Sequence, residues 1–143
     1  MITAGHLVTI KGGEVATLPP TATALEAAEL MNDRHIGSVL VIEDGRIAGI
    51  FTERDLMRRI VAAQRSAEHT QLSEVMTIPV ACATQHTMLD ELRVVMREQR
   101  IRHVPVVDGG RLLGIISIGD LNRAEREVQE ETIHYLEQYI TLR

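Results

Sequence analysis

The chain contains a second copy of part of itself. Residues 36–56, IGSVLVIEDGRIAGIFTERDL, and residues 101–121, IRHVPVVDGGRLLGIISIGDL, align without a gap at an offset of 65 positions. Nine of the 21 aligned positions are identical: Ile36/Ile101, Val39/Val104, Val41/Val106, Gly45/Gly110, Arg46/Arg111, Gly49/Gly114, Ile50/Ile115, Asp55/Asp120 and Leu56/Leu121. Ordinary residue frequencies would give roughly one or two such matches. Thr52/Ser117 and Glu43/Asp108 agree in chemistry as well. Each half must therefore form the same unit. A half of a 143-residue chain has too little core to stand alone. Two copies packed sheet against sheet would bury that core, and the expected fold is α/β with internal pseudo-twofold symmetry.

Each copy reads β-α-β-β-α. Residues 24–34 (ALEAAELMNDR) and 88–100 (MLDELRVVMREQR) carry apolar residues at helical spacing. Two β-rich runs follow in each copy, 38–42 with 47–51 and 103–107 with 111–116. Glu-Asp-Gly and Asp-Gly-Gly join them as hairpin turns, where glycine supplies the positive φ. A second helix is expected to start near Glu53 and again near Ile118. Gly12-Gly13-Glu14-Val15 opens copy one and Thr77-Ile78-Pro79-Val80 opens copy two. The expected boundaries are 1–66 for the first repeat, 67–76 for a linker, 77–122 for the second repeat and 123–143 for a helical extension. In that extension Leu121, Ala124, Val128, Ile133, Leu136 and Ile140 continue a helical stripe for about five turns. The stripe outruns a small domain and is expected to pack on a partner subunit; folding back on its own domain is the alternative.

Composition narrows the function. Apolar residues are 45% and charged residues 24% of the chain, as in a soluble globular protein. The aromatics are Phe51, Tyr135 and Tyr139, so stacking platforms for single-stranded nucleic acid are missing. A net charge of −5 argues against a nucleic-acid surface. Cys82 is the single cysteine, which fits a reducing, cytoplasmic setting; it is expected to pack in a buried strand. No stretch has the ~20 apolar residues of a membrane span, and none near the start reads as a signal peptide. His6, His35, His69, His86, His103 and His134 lack metal-ligand spacing, so no metal is expected. Lys11 is the only lysine, and no nucleophile or phosphate-loop motif is present. No catalytic residue is assigned.

The informative motifs are Thr52-Glu53-Arg54-Asp55 and Ser117-Ile118-Gly119-Asp120, each where a strand gives way to a helix. They have two readings. One is a capping box, with the hydroxyl accepting from an N3 amide and the acid reaching back. The other is a ligand site, with the helix N-terminus and hydroxyl serving a phosphate and the carboxylate accepting both hydroxyls of a ribose.

Gly-Ile-x-Thr/Ser-x-x-Asp-Leu after each hairpin, Ile101-Arg102-His103-Val104-Pro105-Val106-Val107-Asp108, and Val75-Met76-Thr77 together resemble a CBS domain pair of the stand-alone bacterial type. The module is named after cystathionine β-synthase, and the resemblance runs from about Gly12 to Leu121. It implies two clefts between the repeats that bind an adenosine ligand: AMP, ADP, ATP, NADH or S-adenosylmethionine. It places Thr52 and Asp55 in one cleft and Ser117 and Asp120 in the other, with hydroxyls on phosphate and carboxylates on the ribose. Thr77, Ile78 and Val80, with Val104 and Pro105, would line the second adenine slot. Copy one has Gly37-Ser38 where copy two has Arg102-His103, which in the family neutralise ligand phosphates, so the copy-two cleft is favoured; copy one offers Arg54 instead. A guanidinium grips phosphate in bidentate fashion, and a histidine adds a proton-dependent contact. The resemblance implies a regulatory sensor, not an enzyme, with no obligatory cofactor, assembling as a homodimer of pairs. A ligand-free dimerisation or protein-interaction module is the alternative. Neither ligand nor regulated partner is identified by the sequence.

Overall fold

The computed structural model describes residues 2–142. These fall into two compact units. One spans Gly13–Ala81, and the other joins the segment ending at Gly12 to everything from Cys82 onward. Each unit holds one mixed three-stranded sheet with helices, as the α/β reading expects.

Helix α1 (Ala4–Lys11) opens the chain and belongs to the second-repeat unit. The first-repeat unit then follows with β1 (Thr17–Leu18), α2 (Ala24–Arg34), β2 (Ser38–Glu43), β3 (Arg46–Thr52) and the short α3 (Glu53–Asp55). The last runs on into a π-helical stretch, Leu56–Val61. Helix α4 (Leu72–Val75) completes the unit. The second repeat supplies β4 (Ala83–Thr84), α5 (Leu89–Gln99), β5 (His103–Asp108), β6 (Arg111–Ser117) and α6 (Ile118–Leu142).

The duplication persists in local geometry. Thr23 caps α2 by accepting from the Glu26 amide. His35 ends that helix at φ 54°, and Arg100, 65 positions on, ends α5 at the same φ. Both ends close a Schellman-type turn: the Ile36 amide donates to the Met31 carbonyl and the Ile101 amide to that of Met96, each at 3.0 Å. The hairpins match as well. Asp44-Gly45 and Gly109-Gly110 are all at positive φ, which a two-residue turn between twisted strands requires. Ser38 stands opposite Thr52, and His103 opposite Ser117. The opening strands β1 and β4 pair parallel with β2 and β5.

Alternation on the strands builds two cores. Val39, Val41 and Phe51 pack with Ala24, Ala27, Met31, Ile60, Leu72 and Val75. Val104, Val106 and Ile116 pack with Ala4, Leu7, Leu92, Met96, Leu121 and Ala124.

The compact units depart from the boundaries expected at 1–66, 67–76 and 77–122. Residues 4–11 serve the second repeat: Ala4 and Leu7 enter its core, and Val8 lies so close to Gly114 that a Cβ there would sit 2.7 Å from Val8 Cγ1. Residues 72–78 serve the first repeat instead of linking: Leu72 and Val75 enter its core, and a Cβ on Gly49 would sit 2.6 Å from Met76 Sδ. Neither 12–15 nor 77–80 forms the opening strand, which starts a few residues later in each copy. Cys82 is exposed, one residue before β4, and not buried in a strand. Helix α6 crosses residues 122–123 unbroken. Of its stripe, Leu121 and Ala124 are buried in their own unit, while Val128 is 46% exposed and Ile133 and Leu136 are exposed with Tyr135 and Tyr139. The side chain of Ile140 lies outside the described residues. Among the described residues no helix is long and apolar enough to cross a membrane.

Candidate functional site

The end of each hairpin turns straight into a helix, and this turn gathers the two motifs. In the first repeat the Glu53 amide donates to the Gly37 carbonyl at 3.1 Å, which ties Gly37 and Ser38 to the start of α3. Thr52 and Asp55 form a complete capping box: the Asp55 amide donates to Thr52 Oγ1 at 3.2 Å, and the Thr52 amide to Asp55 Oδ2 at 3.0 Å. The Thr52 hydroxyl also donates to Oδ2, at 3.2 Å. On Oδ1 the carboxylate accepts from the Thr77 hydroxyl at 3.0 Å, with Arg59 Nε at 3.7 Å. Thr77 is further held by paired backbone bonds with Ile50. Asp55 is buried, Arg54 is half-buried and Ser38 is buried.

In the second repeat the Ile118 amide donates to the Arg102 carbonyl at 2.8 Å, and Ser117 and Asp120 repeat the reciprocal cap at 2.8 and 3.2 Å. The other partners of Asp120 are cations. Lys11 Nζ donates to Asp120 Oδ2 at 2.8 Å and to the Ile115 carbonyl at 3.0 Å, while Arg123 reaches Oδ1 at 3.3 Å. Burial alone would push the Asp120 carboxyl up, but the Lys11 ammonium and the Ser117 amide together hold it below the usual carboxylate range. His103 is pushed below the usual imidazole value by burial first and by Lys11 next, and Asp120 opposes the shift. Two cations, Lys11 and Arg123, thus share one carboxylate, with the lowered-pKa His103 nearby.

The structure brings together Gly37, Ser38, Thr52 and Asp55 in one unit, and Arg102, His103, Ser117 and Asp120 in the other. Thr77 bonds Asp55, and Ile78 lies against Gly49, so both pack beside the first repeat's β3. Val80 falls in that same unit, whereas Val104 and Pro105 are buried in β5 of the other. Three site residues escaped the sequence reading: Lys11, Arg59 and Arg123. Arg59 and Arg123 stand four and three residues after their aspartates, a helical spacing that could have found them. Lys11 is 109 positions from Asp120 and had no such signal. Two surface grooves have volumes of about 560 and 640 Å³: one borders the first motif at Gly37 and Glu53 and runs beside Met31, His35 and Met57, the other lies beside α1 at His6 and Gln85. Neither is lined by Asp55 or Asp120. Among the described residues no three His, Cys, Asp or Glu side chains gather as metal ligands.

The CBS domain family profile matches residues 8–62 and 72–127. CBS domain-containing protein YhcV of Bacillus subtilis is 36% identical over 108 residues, 76% of each chain. The mitochondrial CBS domain-containing protein CBSX3 of Arabidopsis thaliana is 32% identical over 123 residues; the match covers 82% of this chain and 60% of that protein's length. Among solved structures, a putative signal-transduction protein with CBS domains from Burkholderia ambifaria superposes with a TM-score of 0.82 at 38% identity, over 85% of this chain and 92% of that one. A CBS domain protein from Pyrobaculum aerophilum complexed with AMP superposes with a TM-score of 0.74 at 26% identity, over 83% and 89%. The chain belongs to the CBS domain family and carries two copies of the domain.

Proposed function

We propose that the chain is a regulatory sensor that binds an adenosine ligand beside Ser117 and Asp120, and more weakly beside Thr52 and Asp55. The observation that carries this reading is the cationic surround of Asp120. A carboxylate fit for a ribose diol accepts from Lys11 and Arg123, two cations that a phosphate can use, and Arg102 and His103 stand at the start of β5 in the same unit. The relative from Pyrobaculum aerophilum complexed with AMP supports it. The ligand is drawn from AMP, ADP, ATP, NADH and S-adenosylmethionine, and acts as a signal and not as an obligatory cofactor. The chain performs no catalysis of its own, works in the cytoplasm, and assembles as a homodimer of pairs that presents the signal to a protein partner. Ligand binding favours whichever conformation it binds more tightly, which is the whole energetic content of such a switch.

A second reading has a specific observation behind it. Asp55 already holds both ends of a capping box and a bond from Thr77, so its helix-capping role is complete without a ligand. A ligand-free interaction module would use both aspartates in this way only. Isothermal titration with AMP, ATP and NADH, on the wild type and on Asp120→Asn and Asp55→Asn, separates the readings. The sensor requires saturable binding that Asp120→Asn removes while the protein stays folded. Absence of binding to all three nucleotides, with lowered Tm in both variants, establishes the interaction module instead.

A further inference from the structure

The two aspartates occupy equivalent places, yet they are held differently. Asp55 accepts from a neutral hydroxyl, that of Thr77, whereas Asp120 accepts from the ammonium of Lys11. An ionised carboxylate offers about four acceptor positions on its two oxygens. On Asp120 Oδ2, two are filled by the Ser117 amide and Lys11 Nζ, and Arg123 takes one on Oδ1 at a longer 3.3 Å. A vicinal diol needs one acceptor on each oxygen, so a partner on Oδ2 has to leave. The Ser117 amide is fixed by the turn into α6. Lys11 is the movable one: its side chain is 40% exposed, against 9% for Asp120, and it hangs from the last residue of an eight-residue helix.

We propose that Lys11 is a displaceable latch on the Asp120 carboxylate: it closes the diol-holding group in the unliganded protein and is driven off when a nucleoside binds. The proposal rests on the reading of Asp120 as the group that holds a ribose. It makes α1 the element that feels occupancy, since Lys11 ties the end of that helix to β6 through the Ile115 carbonyl and to the start of α6 through Asp120. Ligand entry frees the end of α1, while Ala4 and Leu7 keep the rest of the helix on the core.

Lys11 is the only lysine, so its reactivity can be read without interference from other side chains. The probe is adenosine, which has the diol and no phosphate. The experiment measures adenosine affinity of the wild type, Lys11→Met and Asp120→Asn, and in parallel the rate at which an amine-acylating ester modifies Lys11, read by peptide mass spectrometry. A latch predicts about fivefold tighter adenosine binding by Lys11→Met, as loss of one partly exposed ion pair implies. It also predicts that saturating adenosine speeds acylation of Lys11 in the wild type. Weaker or unchanged adenosine binding by Lys11→Met, or protection of Lys11 by adenosine, overturns the latch. If Asp120→Asn still abolishes binding in that case, the nucleotide reading survives. If neither the wild type nor Lys11→Met binds adenosine or AMP, the nucleotide reading fails and the latch falls with it.

Discussion

The seating of α1 on the second repeat depends on the absence of a side chain at Gly114, and this can be worked through as a double mutation. A methyl group there would sit 2.7 and 3.1 Å from the two Cγ atoms of Val8. Val8 is β-branched and lies in a helix, where one χ1 rotamer dominates, so it cannot swing aside. The clash must lift α1 or bend β6, and overpacking of this kind costs about 1–3 kcal/mol. Ala in place of Gly recovers about 0.5 kcal/mol of chain entropy, which leaves a net loss of about 0.5–2.5 kcal/mol. Val8→Ala removes two half-buried methyl groups and costs about 1 kcal/mol alone. In the double variant the methyl at residue 114 enters the space that Val8 gave up, so Gly114→Ala adds almost nothing to Val8→Ala. Urea unfolding followed by circular dichroism should therefore show a coupling of about 1 kcal/mol or more, the sign being relief. Gly49→Ala is the control. The two atoms it meets under 3 Å are Sδ and Cγ of Met76, an unbranched side chain that can move, and Ile78 Cγ2 follows at 3.2 Å, so its cost stays below that of Gly114→Ala. Strict additivity of Val8→Ala and Gly114→Ala, or equal losses at residues 49 and 114, would refute the argument.

Three further outcomes follow from named contacts. His35→Gly should raise stability by about 1 kcal/mol, seen as a Tm increase of about 3 °C, because a side chain no longer occupies the left-handed position at φ 54°. His103, whose folded pKa lies below its unfolded value of about 6.5, contributes stability that is complete above that value and is lost as pH falls below it toward the folded pKa. His103→Asn should therefore flatten the pH dependence of Tm below pH 6.5 by one proton's worth, and an unchanged slope would remove His103 as its source. Deletion of residues 128–143 should leave Tm within about 3 °C, since Leu121 and Ala124, the members of the α6 stripe that enter the core, are retained.

What the sequence revealed is what local pattern encodes. The 65-residue offset located both hairpins and both motifs, and the apolar spacing of 24–34 located α2 within its observed ends. Asp44-Gly45 and Gly109-Gly110 announced their turns by chemistry that only positive φ explains. Elements too short to show a period were invisible. Helix α1 has eight residues and buries only two, and α4 has four, so neither displays a stripe from which its core partner could be read. The stripe on α6 was plain, but Leu121 and Val128 look alike in sequence although only the first has a core to enter. Cys82 illustrates the opposite error: an apolar setting in sequence suggested burial, and the strand begins one residue too late to provide it.

The partners of the two aspartates were hidden for a related reason. The capping bonds are three residues long and legible, whereas Thr77 and Lys11 arrive from 22 and 109 positions away. Their arrival is nonetheless ordered by the duplication. Residues 11 and 76 are separated by the repeat offset, and the segments that end near them pack on Gly114 and Gly49, themselves a repeat pair. Each copy is thus finished by the stretch that precedes the opening strand of the other. A single substitution in such a stretch changes the charge beside the distant carboxylate without touching the motif. A cation donates to Asp120 from α1, where a neutral hydroxyl donates to Asp55 from residue 77. The shared cap and the differing donor are separable, which is how two equivalent motifs in one chain come to differ in electrostatics while keeping the same fold.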